Sequence, residues 1–264
     1  MLTYPQIDPI IFQIGPLAVR WYGMMYLLGF IISYFIIGHL SRRRSLGIDH
    51  DGVSDLLFYA ALGVILGGRL GYTLFYKFSY YLSHPLEILA IWEGGMSFHG
   101  GLLGVVVSVM LFCKRRQLSV LLTGDILVTA AAVGLGLGRV GNFINGELWG
   151  RVTDVPWGMV FPQAGPLPRH PSQLYEAFLE GLVLFVVLWL LHRKNPRPGI
   201  PFFSFFLLYG LFRFVVEFFR QPDQHLGFLW AGATMGQLLS LPMVLVGVMG
   251  LLAIHQGNKR HVQG

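Results

Sequence analysis

The sequence predicts an all-α polytopic membrane protein of about seven transmembrane helices with a small extracytoplasmic cap. Three observations predict it. Of the 264 residues, 54% are hydrophobic and 12% are charged, about half of the ~25% charge of a soluble domain. The apolar residues gather in runs close to the ~20 residues that cross a bilayer as a helix. The basic residues sit in short clusters between those runs, as the positive-inside rule requires. The net charge of +6 therefore reads as a topology signal, and no nucleic-acid partner is expected.

The elements follow in order. The first sixteen residues hold Asp8, Pro5, Pro9 and Pro16 but no basic n-region, so no cleavable signal peptide is expected and the first apolar helix acts as the insertion signal. The predicted spans are approximately Trp21–Leu40, Leu56–Tyr76, Ser97–Cys113, Leu121–Val140, Leu174–Leu191, Ile200–Phe219 and Trp230–Ile254. The third is short and follows Gly94-Gly95, which suits a start inside a polar cavity. Arg42-Arg43-Arg44 follows the first span and Lys114-Arg115-Arg116 the third. Arg193, Lys194 and Arg197 follow the fifth, and Lys259-Arg260 the seventh. These clusters hold eleven of the 19 Lys and Arg residues and mark the cytoplasmic side. Seven spans then put the N-terminus outside and the C-terminus inside.

The longest connection, residues 141–172, falls outside the cytoplasm. It carries five prolines with Trp149 and Trp157, which predicts an ordered cap. The whole chain, 1–264, reads as a single integral-membrane domain. Its 34 glycines suit close helix packing in lipid. The single Cys113 excludes an internal disulfide framework and reads as a small apolar helix residue.

Residues Gly138 to Arg151, GRVGNFINGELWGR, carry the densest chemistry. Within fourteen positions they hold two arginines, two asparagines, one glutamate and four glycines. Polar groups are costly in hydrocarbon, so these must face protein, water or a polar headgroup. Eight basic residues lie outside the cytoplasmic clusters: Arg20, Arg69, Lys77, Arg139, Arg151, Arg169, Arg213 and Arg220. On the sixth span Tyr209, Arg213, Glu217 and Arg220 share one helical face, as do Gln173, Glu176 and Glu180 on the fifth. Internal pairing is one use of these residues: Arg213 with Glu217, and Arg69 or Arg139 with Glu147 or Glu176. The excess of base over acid favours another, because guanidinium groups grip a phosphate with paired hydrogen bonds. His99, between glycines at the start of the third span, is either a structural residue or an accessible proton acceptor. No His, Cys, Asp or Glu cluster has metal-ligand spacing, so no metal is expected. A transporter would call for inverted repeats and midplane polar residues, and neither is evident.

The stretch Gly138–Arg151 resembles the signature of bacterial prolipoprotein diacylglyceryl transferases. Trp21-Tyr22-Gly23, Gly67-Gly68-Arg69-Leu70-Gly71-Tyr72, the surroundings of His99, the stretch Arg169–Glu176 and the stretch Phe218–Asp223 resemble family blocks in the same order. The resemblance runs from about Tyr4 to Met249. It implies an inner-membrane enzyme that transfers diacylglycerol from phosphatidylglycerol to the lipobox cysteine thiol of a preprolipoprotein, releasing glycerol 1-phosphate, with no cofactor. It implies catalytic roles for Tyr22, His99, Arg139, Glu147 and Arg213. It implies substrate contacts for Arg139, Asn142, Gly150, Tyr209 and Arg213, together with Arg69, Glu176, Glu217 and Arg220. In this scheme His99 is the candidate base for the thiol, and Arg139 and Arg213 are candidates for stabilising the departing phosphate. Asn142 and Tyr209 donate to headgroup oxygens, Glu147 orients an arginine or takes a hydroxyl proton, and Gly150 serves backbone geometry.

Overall fold

A computed structural model describes residues 2–15, 17–222, 227, 229 and 232–263. Asp223 and Trp230 lie outside the described residues, as do the side chains of Lys259, Arg260 and His261. The chain forms two compact units: Ser41–Thr123, and Met1–Leu40 together with Gly124–Gly264.

The structure is mainly helical. A hairpin of β1 (Ile10–Ile14) and β2 (Leu17–Arg20) turns through Gly15 at φ 58° and leads directly into α1 (Trp21–Arg43). There follow α2 (His50–Phe75), α3 (Phe78–Ser83), α4 (Phe98–Arg116) and α5 (Val120–Ile144). The next span is continuous over Ser172–Arg193. It comprises α6 (Ser172–Glu176), a π-helical segment (Ala177–Val183) and α7 (Leu184–Arg193). Then come α8 (Ile200–Val216) and α9 (Met235–Gln263). Among the described residues six helical segments are long and apolar enough to cross a membrane, and α8 is a shorter apolar helix of 17 residues. A helix occupies each of the seven predicted spans, but α2 begins six residues before and α9 ends nine residues after the predicted bounds, and α3 falls in none of them. The hairpin was not expected from sequence.

In the unit Ser41–Thr123, α2 packs on α4 through glycines one turn apart. A side chain at Gly63 would put its Cβ 2.6 Å from the Gly104 carbonyl oxygen, and one at Gly71 would put it 2.8 Å from Gly100 Cα. The backbones therefore touch, as small residues permit in membrane helices. The start of α4 is fixed by Ser97. Its N–H donates to the Gly68 carbonyl at 2.9 Å, and its hydroxyl accepts from the Gly100 N–H at 3.2 Å. Between α2 and α4 the chain makes α3 and two 3-10 turns, Pro85–Leu89 and Ile91–Glu93.

In the other unit, Gly29 of α1 faces Gly134 of α5, and Gly136 of α5 faces Gly181 of the π segment. A Cβ at Gly181 would lie 2.6 Å from Gly136 Cα. An apolar core of Ala132, Leu184, Leu188 and Phe205 joins α5, α7 and α8. At the start of α8, the Asp125 carboxylate accepts from the N–H groups of Gly199 and Phe202, each at 2.9 Å. A carboxylate from another helix thus caps an N-terminus whose own residue, Gly199, offers no side chain. The cap has its own core of Tyr4, Phe143, Met159 and Phe161, with Trp149 packed against it. The Tyr4 hydroxyl donates to the carbonyls closing α5, 2.6 Å to Phe143 and 3.1 Å to Ile144.

Candidate active site

Close backbone approach builds the site in the larger unit. The Gly136–Gly181 contact brings α5 against the span that begins at Ser172. Arg139, three residues beyond Gly136, then meets Glu176 with its Nε 2.5 Å from Oε2. Arg213, on α8, places Nη1 3.2 Å from the same Glu176 oxygen and 3.9 Å from Glu180 Oε1. Its Nη2 lies 2.9 Å from Glu217 Oε2. Arg220, just past α8, lies 4.0 Å from Glu176 Oε1 and 3.8 Å from Glu217 Oε2. Three guanidinium groups therefore converge on one carboxylate that is itself 0% exposed.

These contacts correct the count of charges along the chain. Three of the arginines in excess meet three buried acids, Glu176, Glu180 and Glu217. Ion pairing is not complete hydrogen bonding, however. The oxygens of Glu176 and Glu180 and the Nη1 of Arg213 are buried without a hydrogen-bond partner. Such groups are costly in a low-dielectric interior, and they mark where this cluster differs from an ordinary structural pair.

Among the described residues Glu147 forms no ion pair with an arginine. Its Oε1 accepts from the Asn142 amide at 2.8 Å and the Asn145 amide at 3.3 Å. The turn after α5 is held from outside by the next span. Gln173 donates to the Glu147 carbonyl at 2.6 Å, and Ser172 to the Leu148 carbonyl at 3.1 Å. Gly150 serves as a backbone joint. Its N–H donates to the His170 carbonyl at 2.8 Å, and a Cβ there would lie 2.5 Å from the Phe219 carbonyl oxygen. Arg151 extends this joint by donating to the Arg220 carbonyl at 2.9 Å. Tyr209 lies one turn before Arg213 with its ring stacked on Phe205. Tyr22, in the first turn of α1, packs against Gly141, and its hydroxyl lies 3.1 Å from that of Tyr26.

Two expected site residues belong to the smaller unit. Arg69 is buried and spends its guanidinium on a loop, donating to the carbonyls of Ile88 at 2.8 Å, Glu87 at 2.5 Å and Gly94 at 2.5 Å. Its contacts hold the approach to α4. His99 is exposed in the first turn of α4, edge-on to Phe98. Among the described residues no group of three His, Cys, Asp or Glu side chains is placed to hold a metal.

Gln173 and Glu180 are the residues that sequence reasoning placed on the right helical face without assigning to the site. Their signal was the 3- and 4-residue spacing with Glu176. Outside the spans, burial holds the His170 imidazole below its usual range, and its Nδ1 lies 3.1 Å from the Tyr175 hydroxyl.

A family model described as prolipoprotein diacylglyceryl transferase matches residues 9–253. The chain is 58% identical over 247 residues to the phosphatidylglycerol–prolipoprotein diacylglyceryl transferase of Geobacter sulfurreducens, covering 94% of this chain and 95% of the relative. It is 56% identical to the protein of that name from Oleidesulfovibrio alaskensis, covering 94% of each chain. With that from Bordetella parapertussis it shares 56% identity, covering 94% of this chain and 95% of the relative.

Proposed function

Because this chain belongs to the prolipoprotein diacylglyceryl transferase family, we propose that its arginine–glutamate cluster handles the phosphate of phosphatidylglycerol while the diacylglyceryl group passes to a lipobox cysteine. The protein is a multi-pass membrane transferase of lipoprotein lipidation. The observation that carries the site assignment is the buried convergence of Arg139, Arg213 and Arg220 on Glu176, with Arg213 Nη1 left without a hydrogen bond.

The reaction is a displacement. The cysteine thiol gives its proton to a base, and sulfur attacks the glycerol carbon that bears the phosphodiester. A C–S bond forms and the C–O bond to phosphate breaks. The electron pair stays on the phosphate oxygen, which leaves as glycerol 1-phosphate. The phospholipid brings its own leaving group, so no cofactor step is needed. A free thiol has a pKa of about 8.5, and the exposed His99 is the base we assign. Arg139 and Arg213 stabilise charge as it develops on the departing phosphate. Arg220 adds to the field, and Glu176 and Glu217 hold the guanidinium groups in register. Asn142 gives one amide hydrogen to Glu147, leaving the other, with the Tyr209 hydroxyl, for headgroup oxygens. Tyr22 lines the α1 side of this region, Gly150 shapes its backbone, and Arg69 supports the segment that presents His99.

The basic clusters after alternate spans support an inner-membrane location with the N-terminus outside and the C-terminus inside. The test uses purified protein, phosphatidylglycerol and a lipobox peptide. The expected result is a mass gain of one diacylglyceryl group on the Cys peptide and none on its Cys→Ser counterpart. No gain on the Cys peptide from folded protein would overturn the assignment.

A further inference from the structure

Glu180 has no role in the chemistry above. Its side chain is 1% exposed, and both carboxylate oxygens lack a hydrogen-bond donor. It lies in the π-helical segment, its backbone fixed by the contact of the adjoining Gly181 with Gly136. Among the described residues its ion-pair partner is Arg213 Nη1, 3.9 Å away, and that nitrogen has no hydrogen-bond partner either. The other edge of Arg213 is held at 2.9 Å by Glu217. Arg213 therefore has one anchored edge and one edge shared between Glu176 and Glu180.

We propose that Glu180 is a positioning residue that competes with the lipid phosphate for the Nη1 edge of Arg213 and so speeds release of the phosphate product. The proposal rests on the reading of this cluster as a phosphate site. The charge count leads to it. Three guanidinium groups meet three acids. A tightly paired cluster repels an added anion, and an unpaired one holds it too well. Glu180 is the acid with the weakest grip, its single ion pair being the longest of those Arg213 makes. It can give up Arg213 Nη1 to an arriving phosphate and draw it back when the product departs. Because it is buried, it acts through Arg213 and does not touch substrate.

The sign of the expected effect separates this role from a structural one. Removing a charge that only braces the fold weakens binding, whereas removing a competitor tightens it. Glu180→Gln keeps the shape and deletes the charge. At mildly alkaline pH the full-length protein in nanodiscs is titrated with glycerol 1-phosphate and, separately, with phosphatidylglycerol. Glu180→Gln is expected to bind glycerol 1-phosphate about ten-fold more tightly, as one removed charge within several ångströms implies. Its dissociation rate and the turnover number fall together. In an Arg213→Gln background the same change loses its effect.

Equal or weaker binding by folded Glu180→Gln overturns the proposal while leaving the phosphate reading in place. Failure of the wild-type protein to bind either probe overturns both. If Glu180→Gln does not fold, Glu180→Asp, which withdraws the charge by one methylene, is measured instead. A smaller tightening then supports the proposal, and none overturns it.

Discussion

Near the start of α5, Asp125 is fully buried, and its carboxylate accepts backbone N–H groups of Gly199 and Phe202. Near the other end, beside Arg139, Glu176 is equally buried, but its partners are guanidinium groups and its oxygens make no hydrogen bond. Both acids sit among the same packed helices. Backbone amides cannot swing away, so Asp125 is bound into the scaffold and caps α8 for good. Arginine side chains can reorient, so the cluster around Glu176 keeps donors that a ligand can claim. A buried charge is a scaffold element when fixed dipoles satisfy it, and a functional one when its partners are shared and incompletely used.

The largest effect that sharpens this contrast belongs to the cluster. Arg139→Gln is expected to lower transfer by on the order of 10²–10³-fold, measured as initial rate on a lipobox peptide, with the thermal midpoint close to wild type. A large loss of stability with normal turnover per folded molecule would erase the distinction. At the opposite end the pattern inverts. Asp125→Ala leaves two N–H groups of α8 without their acceptor and should cost about 2 kcal/mol, read by thermal unfolding in detergent. Activity of the folded fraction should stay near normal.

Gly150→Ala tests the joint between the two behaviours. A Cβ at Gly150 meets the Phe219 carbonyl and His170, so a penalty of about 1–3 kcal/mol is expected, together with reduced transfer, since the segment bridged to Arg220 must shift. The smallest effect is in the cap. Burial lowers the folded-state pKa of His170, so the unfolded chain binds more protons as pH drops below ~6.5. Cap stability is therefore present above that pH and declines on acidification. Trp157, whose indole donates to Tyr175, offers a fluorescence signal, and His170→Gln should flatten the profile.

Much of the fold was legible because hydrocarbon imposes simple demands. Each span had to be apolar and about the right length, and the structure places a helix at each. The hairpin of β1 and β2 was hidden because strands of five and four residues form too short a pattern to stand out beside helices. The site was legible by residue type and helical spacing: Arg213, Glu217 and Arg220 share a face, and they do meet. The partner each group takes was not. Nothing in the local sequence shows that Glu147 takes the amides of Asn142 and Asn145, or that Arg69 is engaged by the carbonyls of Glu87, Ile88 and Gly94. Counting charges along the chain suggested unpaired arginines, but tertiary packing brings Glu176, Glu180 and Glu217 to them.

On the proposed reading, shared guanidinium groups, and not the buried polar groups in general, hold the phosphate. Calorimetric binding of glycerol 1-phosphate to wild type, Arg213→Gln and Asp125→Asn, each checked for folding, tests it directly. Wild type and Asp125→Asn should bind alike, and Arg213→Gln at least about ten-fold more weakly. Equal binding by Arg213→Gln and wild type would rule out the guanidinium cluster as the phosphate site.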